Sequence, residues 1–157
     1  MAVSTLIVAL DQLTKWPIVK WLSQGDSIEV NPFLYIVRRH NEGAAWSFLA
    51  DAGGWQRWFF IVLASTVSAY IVYWLWSIRS EGHAILSTGL ALVLGGAVGN
   101  LIDRIHYGHV VDFIDVYFAR WNYHFPAFNV ADSAITVGAV FLIIDALFFS
   151  GRETTSN

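Results

Sequence analysis

Apolar residues run almost unbroken through three stretches of the chain, and polar residues gather between them. An uncharged run over 58–78 is flanked by Arg57 and Arg79, a second over 84–102 ends at Asp103, and a third over 127–149 is interrupted only by Asp132 and Asp145. A hydrocarbon core about 30 Å thick is crossed by roughly 20 helical residues, and a helix satisfies every backbone amide within its own segment. The pattern predicts membrane-spanning helices over 55–78, 84–102 and 127–149. A weaker run over 1–22 carries Asp11 and Lys15, and Pro17 favours a helix end near Trp16. It lacks the basic start and small-residue cleavage site of a signal peptide, so it reads as a retained first span.

The connections are uneven. The segment 23–54 is mixed: its part over 27–49 is rich in Val, Ile, Phe and Tyr and broken at Asn31-Pro32 and Gly43, which predicts short strands on the membrane surface. In the segment 103–126, Val116, Phe118 and Trp121 predict a short amphipathic helix over 115–123. The expected fold class is therefore an all-α membrane protein: one domain over 1–157 with four transmembrane helices, a few short β-type surface strands and a short amphipathic helix.

Composition sharpens this picture. Of 157 residues, 56% are apolar and only 13% charged, against about one quarter charged in ordinary soluble domains. Eight Trp residues suit a chain anchored at a lipid boundary, and Trp46, Trp55, Trp58 and Trp121 would lie at that boundary. A net charge of -3 offers no basic surface for nucleic acid, and the absence of Cys excludes disulfides and thiolate chemistry.

Four alternating spans bring most of the polar residues to one face. Asp11 and Lys15 end the first span, Asn41 and Glu42 precede the second, Asn100, Asp103 and Arg104 end the third, and Asn129 and Asp132 open the fourth. The opposite face has only the turn over 80–83 and the tail from Arg152. Ionisable groups at membrane depth are costly and usually mark a site. Asp11 and Lys15, four apart, form an ion pair by spacing, and Asp103 with Arg104 suggests a second clamp. Gly95, Gly96 and Gly99 let another helix approach closely. Asn129 or Asp132 is also ordinary capping chemistry for a helix start. Asp112, an acid inside the apolar run His109-Val110-Val111-Asp112-Phe113-Ile114, has no cation nearby in sequence. One answer is that it meets Asp132 and the two share a proton, the apparatus by which aspartyl proteases activate water. Rival readings remain: a metal held by His106, His109 and Asp112; a serine mechanism at Ser133 or Ser47; or a transporter, for which Asp145 would be a relay.

The ordered motifs Asp11-Gln12-Leu13-Thr14-Lys15, Asn41-Glu42-Gly43-Ala44-Ala45-Trp46-Ser47-Phe48, Gly99-Asn100-Leu101-Ile102-Asp103-Arg104, His109-Val110-Val111-Asp112-Phe113 and Phe128-Asn129-Val130-Ala131-Asp132-Ser133 resemble the bacterial lipoprotein signal peptidases (signal peptidase II). Glu42 and Trp46 stand where that family more often has a small polar residue and Phe. The resemblance implies a bacterial inner-membrane aspartyl endopeptidase with cytoplasmic termini and a periplasmic site, acting on diacylglyceryl prolipoproteins just before the lipidated cysteine. It implies that the surface strands form a small periplasmic cradle and that the helix over 115–123 is a lid over the site; the two-acid reading itself needs no cofactor and no metal, membrane lipids are the surroundings, and a monomer is expected. By motif position, Asp112 and Asp132 are the implied dyad. Asn41, Asn100, Arg104 and Asn129 are its supporting and substrate-contacting shell, and Asp11, Lys15 and Asp103 organise the site.

Overall fold

The computed structural model describes residues 1–43, 54–79 and 83–149. Parts of the sequence expectations concerning 44–53, with Trp46 and Ser47, the turn at 80–82 and the tail from 150, including Arg152, lie outside the described residues. Four helices, α1 (Ala2–Trp21), α2 (Trp55–Ser77), α3 (Ala84–His106) and α4 (Val130–Phe148), alternate with four strands, β1 (Ser27–Asn31), β2 (Leu34–Asn41), β3 (Val110–Phe118) and β4 (Tyr123–His124). Three of the helices, α2, α3 and α4, are long and apolar enough to cross a membrane, with mean hydropathies of 1.8, 1.9 and 1.9. Their large apolar side chains face outward, among them Trp58, Val62, Tyr73, Val140 and Leu147, which is the order expected where lipid, and not water, is the solvent.

The helix α3 is central. It packs on α1, α2 and α4, and its glycines permit the approach: a methyl on Gly96 would overlap the Ala131 carbonyl of α4, and one on Gly99 would come within 2.7 Å of Asp11 Oδ2 of α1. This is the close packing that the glycine spacing predicts. A buried cluster of Ile71, Ile78, Leu90 and Leu94 joins α2 and the residue that caps it to α3.

Two sequence expectations are corrected. The first helix does not end near Trp16: α1 continues through Pro17 to Trp21. Proline disfavours the helix but does not forbid it, and Ile18 is held in a buried cluster with Val111 and Phe113. The segment 115–123 is not a helix either. β3 runs to Phe118 and only the single 3-10 turn Ala119–Trp121 follows. Val110–Phe118 is dominated by β-branched and aromatic side chains, and antiparallel pairing to β2 satisfies its backbone.

The expected strands within 27–49 are present. β1 to β4 form an antiparallel sheet in sequence order. Two irregularities in β3's pairing matter for the site. β2 carries an extra residue between Ile36 and Arg39, and the N–H groups of Phe113 and Ile114 both donate to the Phe128 carbonyl, at 3.0 and 2.8 Å. This bulge breaks the two-residue alternation. Val111, Phe113 and Ile114 pack into the cluster around Ile18, whereas Asp112 and Asp115, three residues apart, both border the cavity described next.

Candidate active site

The bonds between Phe128 and β3 fix where α4 begins, two residues later, beside Asp112. Asn129 is the N-cap of α4 and forms a reciprocal capping box with Asp132: its side-chain oxygen accepts the Asp132 N–H at 2.9 Å, and Asp132 Oδ2 accepts the Asn129 N–H at 3.2 Å. The capping reading of these residues is therefore correct, but it is not their whole role. Asn129 Nδ2 donates to Asp112 Oδ1 at 2.7 Å. One fully buried amide thus holds acids from two elements.

The rest of the network runs inward. Asn41 Nδ2 donates to Asp112 Oδ2 at 3.1 Å, and Asn100 Nδ2 donates to Asp132 Oδ1 at 2.7 Å. Asn100 Oδ1 in turn accepts from Lys15 Nζ at 3.1 Å and from Asn129 Nδ2 at 3.2 Å. Lys15 forms the predicted pair with Asp11 at 2.8 Å, and a second at 2.8 Å with Asp103. Asp11 Oδ1 also accepts the Ala131 N–H at 2.9 Å, joining α1 to the first turn of α4. The Asp103–Arg104 clamp is not formed. Asp103 is taken by Lys15 and by the Val111 N–H at 3.1 Å, because α1 supplies a buried cation on that side of α3. Arg104 lies over the Phe60 ring and donates to the Gly43 carbonyl at 2.7 Å.

Gln12 went unnoticed in the motif that contains it. Its Nε2 lies 3.0 Å from Asp103 Oδ1 and 3.2 Å from the Gly99 carbonyl, so it bridges α1 to α3. A third polar side chain one residue from Asp11 in an apolar helix was the available signal.

These groups open on a cavity of about 1440 Å³, larger than the roughly 300–1,000 Å³ of small-ligand pockets. Asn41, Asn100, Arg104, Asp112 and Asp132 line one part, and Phe60, Leu63, Val67, Val93 and Ile135 of the apolar helices line another. Burial pushes the Asp112 carboxyl up to about 7, with the nearby Asp132 charge adding to it; the N–H groups from Asn41 and Asn129 and the Lys15 charge pull the other way. Burial pushes His109 down to about 4, helped by His40 and Arg38. The His109 ring stacks on His40, centroids 3.7 Å apart. His106, His109 and Asp112 come from a helix end, a turn and a strand, and among the described residues no three His, Asp or Glu side chains are grouped as a metal site requires. Trp55, Trp58 and Trp121 are exposed, and Asp145 is buried near the far end of α4.

The family model described as signal peptidase (SPase) II matches residues 3–148. A lipoprotein signal peptidase of Cupriavidus necator is 56% identical over 147 residues, covering 94% of this chain and 82% of the relative. One of Acinetobacter baumannii is 53% identical over 153 residues, covering 98% and 85%. A bacterial membrane enzyme solved by the in meso method at 2.3 Å resolution superposes with a TM-score of 0.81 at 34% identity, over 99% of this chain and 92% of that one. Apolar helices that carry acids into a cavity at one end, matched along nearly the whole chain by such proteins, define an integral-membrane aspartic peptidase. The chain belongs to the signal peptidase II family.

Proposed function

We propose that this chain removes the signal peptide from diacylglyceryl-modified prolipoproteins, cutting just before the lipidated cysteine with Asp112 and Asp132 as a water-activating dyad. The observation that carries this reading is Asn129, whose amide binds Asp112 while its backbone and side-chain oxygen cap Asp132 at the rim of one cavity. Asp112, raised to about 7, is the acid that keeps its proton, and Asp132 is the base. Asp132 takes a proton from water as the oxygen attacks the scissile carbonyl, and Asp112 gives its proton to the carbonyl oxygen. The tetrahedral intermediate then returns that hydroxyl proton to Asp112, the C–N bond breaks, and Asp132 delivers its proton to the leaving α-amine. Neither a covalent intermediate nor a cofactor is needed.

In this reading α1 joins the three apolar helices as a fourth span, so the ends of α1 and α3 and the starts of α2 and α4 meet at the outer face of the inner membrane, with both termini in the cytoplasm. The monomer suffices. Acyl chains in the outer leaflet place the bond after the signal segment at the level of the dyad, and the apolar wall of Leu63, Val67 and Ile135 receives them. Asn41, Asn100 and Asn129 hold the acids, Arg104 borders the substrate, and Asp11, Lys15 and Asp103 brace the helices. Cleavage of purified prolipoprotein in detergent is the test: the diacylglyceryl form is expected to react at least about tenfold faster than the unmodified one, since buried acyl methylenes supply the recognition. Equal rates would remove lipid recognition from the mechanism.

The raised Asp112 carboxyl also sets a pH dependence. Above about 7 the dyad loses its acid, and kcat/KM is expected to fall about tenfold per pH unit. The N–H from Asn41 favours ionised Asp112, so Asn41→Ala is expected to move this alkaline limb to higher pH. A limb that stays in place in the variant would show that another group titrates. The same carboxyl keeps its proton where an unfolded chain would release it, so its contribution to stability diminishes as pH rises from the ordinary carboxylate range to about 7.

A further inference from the structure

The cavity has a buried acid that the proposed mechanism leaves idle. Asp115 is 8% exposed and pairs through Oδ1 with His124 Nδ1 at 2.8 Å, while the His124 side chain is 52% exposed. Tyr35 lies directly across from Asp115 on β2, and the His124 ring rests against Tyr35 and Tyr117 at centroid distances of 5.5 and 4.6 Å. Asp115, His124, Tyr35 and Arg39 line the same cavity as Asp112 and Asp132. It is the bulge at Phe113 and Ile114 that turns Asp115 to this side. Arg39, the cation on this wall, has its guanidinium near Gly25, and the charge of Glu29 reaches Tyr35.

The two walls of the cavity differ in chemistry. The apolar one comes from the spanning helices and suits the signal segment and acyl chains. The polar one comes from the sheet, the natural path for the hydrophilic chain beyond the cysteine. Asp115 follows Asp112 by three strand residues, about 10 Å at roughly 3.3 Å each. An extended substrate covers that distance in about three residues.

Resting on the function proposed above, we infer that Asp115, with His124 and Tyr35, forms a subsite for the mature segment about three residues beyond the lipidated cysteine, favouring a cationic or hydrogen-bond-donating side chain over an acidic one. A half-exposed histidine leaves one side of the pair open to such a group, and an acid there would meet the like charge of Asp115. The site is partly open to solvent, so the preference is modest.

The experiment uses diacylglyceryl lipopeptides identical except for Lys, Gln or Glu at each of the second to fourth residues after the cysteine. Wild-type protein is expected to cleave the Lys and Gln peptides with kcat/KM roughly three- to fivefold above the Glu peptide, most clearly at the third residue. The nearly isosteric Asp115→Asn is expected to bring the Lys and Glu peptides within about twofold of each other. Equal kcat/KM for all peptides in wild-type protein would overturn the subsite without the use of any variant. So would an Asp115→Asn protein that slows every peptide by the same factor, the mark of a pair that merely anchors β4 to β3. Failure of wild-type protein to cleave any lipidated peptide would instead overturn the function on which the inference rests.

Discussion

Asp112→Asn and Asp132→Asn are each expected to slow cleavage of diacylglyceryl prolipoprotein by at least about 10²–10⁴-fold, the range that general acid–base catalysis supplies. Asparagine keeps the size of each side chain but can neither take up nor release the proton. The loss should appear in kcat, because the acids act on the reacting bond and the acyl chains bind elsewhere in the cavity. The fold must be followed separately. At position 132 an amide can still accept from Asn100 or from the Asn129 N–H, but turning its NH2 towards the other donor costs about 1–3 kcal/mol. Thermal unfolding in detergent measures that cost. Groups that act as a unit are not additive, so the double variant is expected to be about as slow as either single one. A strong chelator should leave wild-type activity intact. Near-wild-type turnover in either variant would end the two-acid mechanism.

Much of this site was legible because the membrane makes polar residues conspicuous. In α3 and α4 an acid or an amide interrupts an otherwise apolar helix, and helix alternation alone assembles Asn100, Asp103, Arg104, Asn129 and Asp132 at one level. The failures share a different cause: they depend on which neighbour a residue meets. Asp103 read as the partner of Arg104 because they are adjacent in sequence, but a cation from α1 reaches it first. Pro17 read as a helix end, but Ile18 beneath Val111 and Phe113 holds the next turn in place.

The segment 115–123 failed for a more instructive reason. The expectation rested on Val116, Phe118 and Trp121, apolar positions that a strand end followed by a single turn supplies as well as a helix does, and a local pattern cannot distinguish the two. What a periodicity count did not weigh is the β-branched and aromatic content of Val110–Phe118. The bulge in β3 lies just before this segment and turns Asp115 into the cavity, a placement that no local pattern announces.

Lys15→Met should have the largest effect on the fold. The Lys15 ammonium lies 2.8 Å from both Asp11 and Asp103, and both carboxylates are completely buried. Removing it leaves two close negative charges with no cation between them, and breaking a buried pair of this kind costs about 3–5 kcal/mol. That is a large fraction of the roughly 5–15 kcal/mol that holds a typical domain folded, so a marked drop in the detergent unfolding temperature is expected. Most of the penalty belongs to the stranded acids. Adding Asp11→Asn and Asp103→Asn to Lys15→Met removes both charges and should recover much of the loss, because a buried ionic cluster replaced as a whole is often neutral in energy. Activity should not recover with it. Lys15 also donates to Asn100 Oδ1, and that bond helps to turn the Asn100 NH2 towards Asp132; without the ammonium only the 3.2 Å bond from Asn129 Nδ2 holds that oxygen, and the amide that faces the carboxylate is less firmly oriented. Stability regained without turnover would separate the two tasks of this lysine, and stability regained together with full turnover would show that it braces the helices and nothing more.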